Sequence, residues 1–174
     1  MKRLLIAAFA VLMAGALAQP AQAQVQFGAQ ANYADDFDFG IGARAQFDLG
    51  SMFELEGAMA SLKGVVSGDF YFPDCGDLDC SYMEINGNAL YPIEMEGDLA
   101  PYVGGGLNIA RFSADYTDPF SGTTSSSSDT DVGLNALGGA NFDLGSMAAF
   151  AEAKIELGGG EQFVLTFGVL FGGD

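Results

Sequence analysis

The chain has 174 residues, with 23 acidic against six basic side chains, no histidine, and a formal net charge of −17. Binding to phosphates draws on clusters of Lys and Arg, so nucleic acid is not an expected partner. The lack of histidine removes the usual general base and the commonest transition-metal ligand.

The first segment reads as an export signal. Lys2 and Arg3 form a basic start, an apolar run follows from Leu4 to Ala18, and Ala21-Gln22-Ala23 is a small-residue cleavage site. The run is shorter than the roughly 20 residues a spanning helix needs. The expected division is therefore a signal peptide over 1–23 and a single domain over 24–174. That domain keeps four basic residues, Arg44, Lys63, Arg111 and Lys154, against 23 acidic ones.

The domain opens with QVQFGAQANYA, in which Val25, Phe27, Ala29, Ala31 and Tyr33 alternate with Gln24, Gln26, Gly28, Gln30 and Asn32. After Asp35 and Asp36 the alternation resumes over Phe37 to Met52. There Phe37, Phe39, Ile41, Ala43, Ala45, Phe47 and Leu49 take one register, and Asp38, Gly40, Gly42, Arg44, Gln46 and Asp48 the other. A period of two marks a strand with one apolar and one polar face. A short turn at Gly50 is expected to lead into a third strand that starts with Glu54 and Glu56 on the polar register. Its alternation falters between Leu62 and Gly68, which predicts a bulge or an overhanging strand.

Cys75 and Cys80 follow in PDCGDLDCS, where an exported chain is free to oxidise. A disulfide closing so small a loop contributes about 2 kcal/mol on the chain-entropy account. A redox or metal pair is the alternative, but two cysteines with no further Cys or His nearby are a poor ligand set. Beyond the loop, Met83, Ile85, Ala89, Tyr91 and Ile93 oppose Tyr82, Glu84, Asn86 and Asn88. PYVGGGLNIARFSADY makes the next strand, and the aperiodic TDPFSGTTSSSSDT a loop. Three more strands follow: DVGLNALGGANFDL, MAAFAEAKIEL with Glu152, Lys154 and Glu156 on its polar register, and QFVLTFGVLF. The tract FDLGSM occurs twice, at 47–52 and 142–147, each time entering a turn.

Eight alternating strands and no amphipathic helix predict an all-β, antiparallel up-and-down barrel. Several observations place the apolar register outside, in lipid. In most strands it carries no charge, whereas the polar register is mainly small and uncharged, unlike a soluble surface. Aromatics near strand ends, Tyr33, Phe47, Phe53, Tyr91, Phe142 and Phe163, suit the interfacial girdles of a membrane barrel. An eight-stranded interior could not hold them all. Short turns at Gly50, 95–99 and Gly145, with the longer loops at the other end, fit the same layout.

The signal segment, the eight strands, the opening Pro101-Tyr102-Val103-Gly104-Gly105-Gly106-Leu107 and the aromatic last strand resemble the small outer-membrane β-barrel family, including its OmpA-like and OmpX-like members. The resemblance covers the whole of 24–174. It implies an eight-stranded transmembrane barrel in a Gram-negative outer membrane. Expected partners are outer-membrane lipid and lipopolysaccharide, and the outer-membrane assembly machinery during biogenesis. A monomer without cofactor is expected.

The expected site is a lumen ion-pair network of Arg44, Glu54, Glu56, Glu84, Glu152, Lys154 and Glu156. Asp48 opposite Glu54 and Gln46 opposite Glu56 would bring Arg44 diagonally to Glu56. Such a network plugs the lumen, giving a non-enzymatic protein with a structural or surface-interaction, adhesion-like role. The excess of carboxylates leaves a narrow cation-preferring pore as the alternative, and a soluble barrel binding an apolar ligand as a third reading. Enzyme chemistry lacks parts: Ser125 to Ser128 have no histidine base, and Glu54 and Glu56 flank no evident cleft. Asp69, Asp74, Asp77, Asp79, Asp115, Asp118, Asp129 and Asp131 are expected to crowd the loop end. Of these, Asp74, Asp77 and Asp79 are a weak metal candidate without EF-hand spacing.

Overall fold

The structure is a computed structural model that describes residues 25–76, 78–117, 120, 122–158 and 161–172. The expected signal segment, Gln24, Asp77 and Asp118 lie outside these residues. Eight strands follow in chain order: β1 (Gln26–Ala34), β2 (Asp38–Asp48), β3 (Lys63–Tyr71), β4 (Asp79–Pro92), β5 (Leu99–Thr117), β6 (Thr124–Asp143), β7 (Met147–Leu157) and β8 (Gln162–Phe171). Each pairs antiparallel with the next, and β1 pairs with β8 from Phe27↔Phe171 to Ala34↔Val164, closing the sheet into a barrel. Closure leaves no strand edge within the wall, which is what a β-structure in hydrocarbon requires.

The period of two sets the faces. Phe39, Ile41, Met83, Ile85, Val103, Leu107, Ile109, Ile155 and Phe167 are about half exposed on the outside. Gln30, Asn32, Arg44, Ser67, Asn86, Asn108, Asn135 and Thr166 are buried inside. Apolar outside and polar inside is the reverse of a soluble barrel that carries an apolar ligand.

The strand count is even, so the start of β1 and the end of β8 fall at one rim, together with the connections at 49–62, 93–98 and 144–146. The opposite rim is where β1 meets β2, β3 meets β4, β5 meets β6 and β7 meets β8, and there the wall is uneven. β5 and β6 have 19 and 20 residues, whereas a tilted strand crosses a bilayer in about 9–11. β7 meets β6 only from Leu134 onward, so Thr124–Gly133 is paired with β5 on one side and projects past the end of β7 on the other.

The stretch 117–130, expected to be a loop, is strand at both ends: β5 runs to Thr117 and Thr124–Thr130 already belongs to β6, because backbone pairing from Arg111↔Thr130 to Thr117↔Thr124 holds a segment that has no apolar face to reveal it. Three further expectations are corrected. The connection after β2 is not a short turn at Gly50. It is a 14-residue segment with helix α1 (Leu49–Met52) and a 3-10 turn (Gly57–Ser61). Asp48 caps α1 by accepting the Ser51 N–H at 2.7 Å. Gly50 packs so tightly that a Cβ there would lie 1.8 Å from the Ala60 carbonyl oxygen. Secondly, β3 contains no bulge: Lys63 to Tyr71 pairs residue by residue with both β2 and β4. Thirdly, Phe37 is not on the lipid face. It lies in the turn before β2, and Asp38 at φ 56° interrupts the alternation, so Phe37 turns inward to stack on Tyr82 with ring centroids 3.7 Å apart.

Inward glycines make room for the large lumen side chains. A Cβ at Gly42 would sit 2.0 Å from Asp69 Oδ1, one at Gly139 2.6 Å from the Tyr102 hydroxyl, and one at Gly168 2.5 Å from Phe150 Cζ. Gly87 differs: it lies on the outward face of β4, between buried Asn86 and Asn88, and a Cβ there meets nothing within 4 Å. Gly42→Val is therefore expected to lower the unfolding free energy in lipid vesicles by about 2–3 kcal/mol through overpacking. Gly87→Val, the matched control, should leave the urea midpoint unchanged.

Candidate functional site

The lumen holds two connected sets of polar side chains between apolar closures. Nearer the rim where β1 starts and β8 ends, Arg44 on β2 reaches across to β7. Its Nη2 donates to Glu152 Oε1 at 2.9 Å, both side chains being almost completely buried. The Tyr102 hydroxyl on β5 donates to the other oxygen, Glu152 Oε2, at 2.9 Å. The Arg44 guanidinium carbon lies 4.1 Å from the centre of the Phe150 ring, a cation–π contact of a desolvated cation. Gly139 lies opposite Glu152 in the β6–β7 register, and the space it leaves is filled by Tyr102.

Towards the loop end, Lys154 on β7 is the centre. Its Nζ donates to Glu84 Oε2 at 3.3 Å and to Asn86 Oδ1 at 3.1 Å, and it pairs with Glu156 on its own strand. Glu84 Oε1 also accepts from the Tyr82 hydroxyl at 2.8 Å and from Gln162 Nε2 at 2.7 Å, and Gln162 reaches Glu156 Oε2 at 2.7 Å. Beside this set, Asp69 accepts four neutral donors: Gln30 at 2.6 Å, Asn32 at 2.7 Å, Ser67 at 3.0 Å and Asn86 at 3.1 Å. Asn86 joins the two groups, because it also donates to Glu84 and accepts from Lys154.

Apolar layers bracket these networks. At the loop end, Tyr71 and Tyr82 pack with Ala34, Ala110 and Val164, with Phe37 and Phe112 against them. At the other end, Val65, Leu90, Tyr102 and Leu137 form a second cluster. Beyond it lies an open vestibule of about 430 Å³ lined by Gln26, Gln46, Lys63, Asp98, Asn141 and Asp143 among others.

Five of the seven residues assigned to the lumen network from sequence come together here: Arg44, Glu84, Glu152, Lys154 and Glu156. Glu54 and Glu56 do not. They fall in the helical connection between β2 and β3, where both are exposed and Glu54 has φ 51°. The strand opposite β2 starts only at Lys63, so Asp48 pairs with Lys63 and Gln46 with Val65. Arg44 consequently finds Glu152 and not Glu56. Asp69, expected among the loop acids, is 5% exposed in the lumen instead. Its position in phase with Val65, Ser67 and Tyr71 is the signal that places it there. Sequence reasoning also misses Tyr82, Tyr102 and Gln162 as network members, although each lies in phase with polar neighbours.

At the loop end, Cys75 and Cys80 form the expected disulfide, with Cα atoms 6.1 Å apart. Asp74 accepts the Gly76 N–H at 3.0 Å, closing a local turn, and Asp79 opens β4 opposite Asp115. Asp77 is outside the described residues. Among the described residues, no group of three or more His, Cys, Asp and Glu side chains is arranged to hold a metal ion.

A closed eight-stranded wall with an apolar exterior and a charged, hydrogen-bonded interior agrees with the sequence match, which runs from residue 4 to 160 and carries the description outer membrane protein beta-barrel domain. The chain belongs to that family. It is an outer-membrane β-barrel. Solved structures of similar fold include Neisserial surface protein A, at 20% identity and a TM-score of 0.63, covering 86% of this chain and 96% of that one. The N-terminal β-barrel domain of Pseudomonas aeruginosa OprF matches at 17% identity and a TM-score of 0.59, covering 87% of this chain and 100% of that one. A major outer membrane protein from Thermus thermophilus matches at 13% identity and a TM-score of 0.66, covering 88% and 100%. No curated protein matches the chain in sequence.

In this outer-membrane barrel, removing one partner of a buried pair strands the other charge. Arg44→Ala is expected to destabilise by about 3–5 kcal/mol. A cycle with Glu152→Gln should show strong coupling, the second substitution costing less once the first is present. Glu56→Gln, on the exposed connection, should stay within about 0.5 kcal/mol of the parent. Urea midpoints in vesicles measure all of these.

Proposed function

We propose that the protein is a non-enzymatic outer-membrane barrel, closed to ion flow, which acts through the loop end in a structural and surface-interaction role. The rim where β1 starts and β8 ends faces the periplasm, and the segment 1–23 is removed after export. The observation that carries the closed lumen is the Arg44–Glu152–Tyr102 bridge, whose members come from β2, β7 and β5 on different sides of the wall. With Val65, Leu90 and Leu137 beside Tyr102, it occupies a lumen that in eight-stranded barrels is only wide enough for side chains.

A narrow cation-preferring pore has one observation in its favour. Among the described residues, four carboxylates, Asp69, Glu84, Glu152 and Glu156, are buried in the lumen against two cations, Arg44 and Lys154. Planar-bilayer recording separates the two readings. The unmodified protein is expected to carry no steady current, and Arg44→Ala combined with Glu152→Ala to admit a cation-selective one. Steady current from the unmodified barrel would overturn the closed lumen in favour of the pore.

The loop end is acidic, with Asp35, Asp36, Asp74, Asp115, Asp129 and Asp131 exposed around the projecting β5–β6 hairpin. The attachment invasion locus protein of Yersinia pestis, similar in fold at 12% identity and a TM-score of 0.53, has been solved in complex with the heparin analogue sucrose octasulfate. Like-charge repulsion argues against a polyanion as a direct ligand here. Divalent cations shared between these aspartates and lipopolysaccharide phosphates suit the chemistry better. The protein works as a monomer among outer-membrane lipids, delivered there by the outer-membrane assembly machinery. Removing 117–130 is expected to abolish calcium-dependent association with lipopolysaccharide vesicles while heat-modifiable gel mobility persists. Undiminished association would remove the hairpin from the role.

A further inference from the structure

The 14-residue connection between β2 and β3 is longer than the other connections at its rim, and nothing in the lumen accounts for it. None of residues 49–62 lines the vestibule at that mouth, so the segment does not serve as a stopper. It leans instead on the outer surface of the wall. Gly64 lies in the outward register of β3 yet is buried, because Phe47 and Leu49 cover it: a Cβ there would meet Phe47 Cε2 at 2.4 Å and Leu49 Cγ at 3.1 Å. The first residue of α1 is thereby fixed to the face that meets lipid. The 3-10 turn follows against β4, where Tyr91 and the residues just after the strand, Ile93 and Met95, are exposed at the same rim.

The connection is built to hold a shape. Asp48 caps α1, Leu49 and Gly50 N–H both donate to the Leu62 carbonyl, at 2.9 and 3.1 Å, and the Leu55 N–H donates to the Gly50 carbonyl at 2.8 Å. Yet its largest apolar side chains are not used in that packing. Met52 is 45% exposed, Phe53 64% and Met59 59%. In water such a group would be a costly exposure on an ordered segment. At the edge of the lipid-facing belt it continues an apolar surface that is already in contact with acyl chains.

We propose that α1 and the 3-10 turn form a membrane-interface anchor, with Met52, Phe53 and Met59 inserted at the headgroup–acyl boundary beside β3 and β4. The proposal draws on the proposed function only for orientation, which makes this the periplasmic leaflet; contact with lipid does not depend on it. Charge selects the lipid. Glu54 and Glu56 are the charged residues of 49–62, both acidic and exposed. They match the ammonium of a zwitterionic ethanolamine headgroup and are repelled by an anionic phosphatidylglycerol surface.

The chain has no tryptophan, so one introduced at a chosen site reports on that site alone. Phe53→Trp would be compared with Phe167→Trp on the lipid face of β8 and with Tyr116→Trp on the projecting hairpin. Each is reconstituted in phosphatidylcholine–phosphatidylethanolamine vesicles whose acyl chains carry bromine close to the headgroup. The Phe53→Trp emission is expected to be blue-shifted, to lose most of its intensity to the brominated lipid as Phe167→Trp does, and to resist aqueous acrylamide. Replacing phosphatidylethanolamine by phosphatidylglycerol should weaken the bromine quenching, and Glu54→Gln with Glu56→Gln should restore it. Full acrylamide access without bromine quenching, as at Tyr116→Trp, would overturn the anchor. So would a blue shift that ignores bromine and grows with protein-to-lipid ratio, which would mean that a second copy covers the patch. Substitution at exposed Phe53 leaves the wall intact, and heat-modifiable mobility verifies folding of every variant before it is read.

Discussion

Volume inside the wall is the constraint on which the rest of this molecule depends. Eight strands enclose a space that side chains alone can fill, so each large inward residue needs a small one beside it. Asp69 sits where Gly42 has no side chain, Tyr102 over Gly139, Phe150 over Gly168. The pairing register puts these partners side by side, and a slip of one residue would exchange lumen for lipid face along a whole strand. The glycines of β2, β6 and β8 are therefore part of the lumen's design as much as the charges are.

Within that space the charges are arranged by what compensates them. Glu152 has a guanidinium and a phenol; Glu84 and Glu156 share one ammonium; Asp69 has four neutral donors. Burying ions is expensive, and attraction between partners offsets the cost only where the remaining lone pairs are also satisfied. Amide and hydroxyl groups from β1, β3 and β4 do this for Asp69 in place of a cation. Asn86 then ties this carboxylate to the lysine cluster, so that a change at one carboxylate is felt by the other. The aromatic closure built from Phe37, Tyr71 and Tyr82 lies directly above, with the Tyr82 hydroxyl already committed to Glu84.

Much of this is legible in the order of the residues. Alternation alone locates all eight strands, the lipid-facing register and five of the lumen charges, because a half-buried strand writes its two faces into successive residues. It is blind where a strand is polar on both faces, as Thr124 to Thr130 is, and where the chain stops being extended. From Leu49 to Leu62 the polar residues Glu54 and Glu56 happen to fall two apart, mimicking a strand, but a helix cap at Asp48 and the close contact of Gly50 with Ala60 take that stretch out of the sheet. Phe37 misleads for a related reason: the first residue of β2, Asp38, has positive φ and breaks the alternation between Phe37 and Phe39. Leu90 and Leu137 are hard to notice because apolar residues in the polar phase look like noise, although they help close the lumen. Nearness to the cysteines in sequence groups Asp69 with the loop acids, whereas its phase with Ser67 and Tyr71 puts it inside.

The hexapeptide FDLGSM has two fates in this chain, a capped helix after β2 and a tight reversal after β6, where Asp143 accepts the Gly145 N–H at 2.7 Å. In the first, the pair that closes the ladder, Asp48↔Lys63, is 15 positions apart in sequence; in the second, Asp143↔Ala148 is five apart. Faces are set by the ladder itself, so the ten extra residues beyond the closing pair leave every downstream side chain on its own face. The wall thus treats what lies beyond its rim as a module separate from the ladder, and extra chain can be gained or shed there without rewriting the barrel.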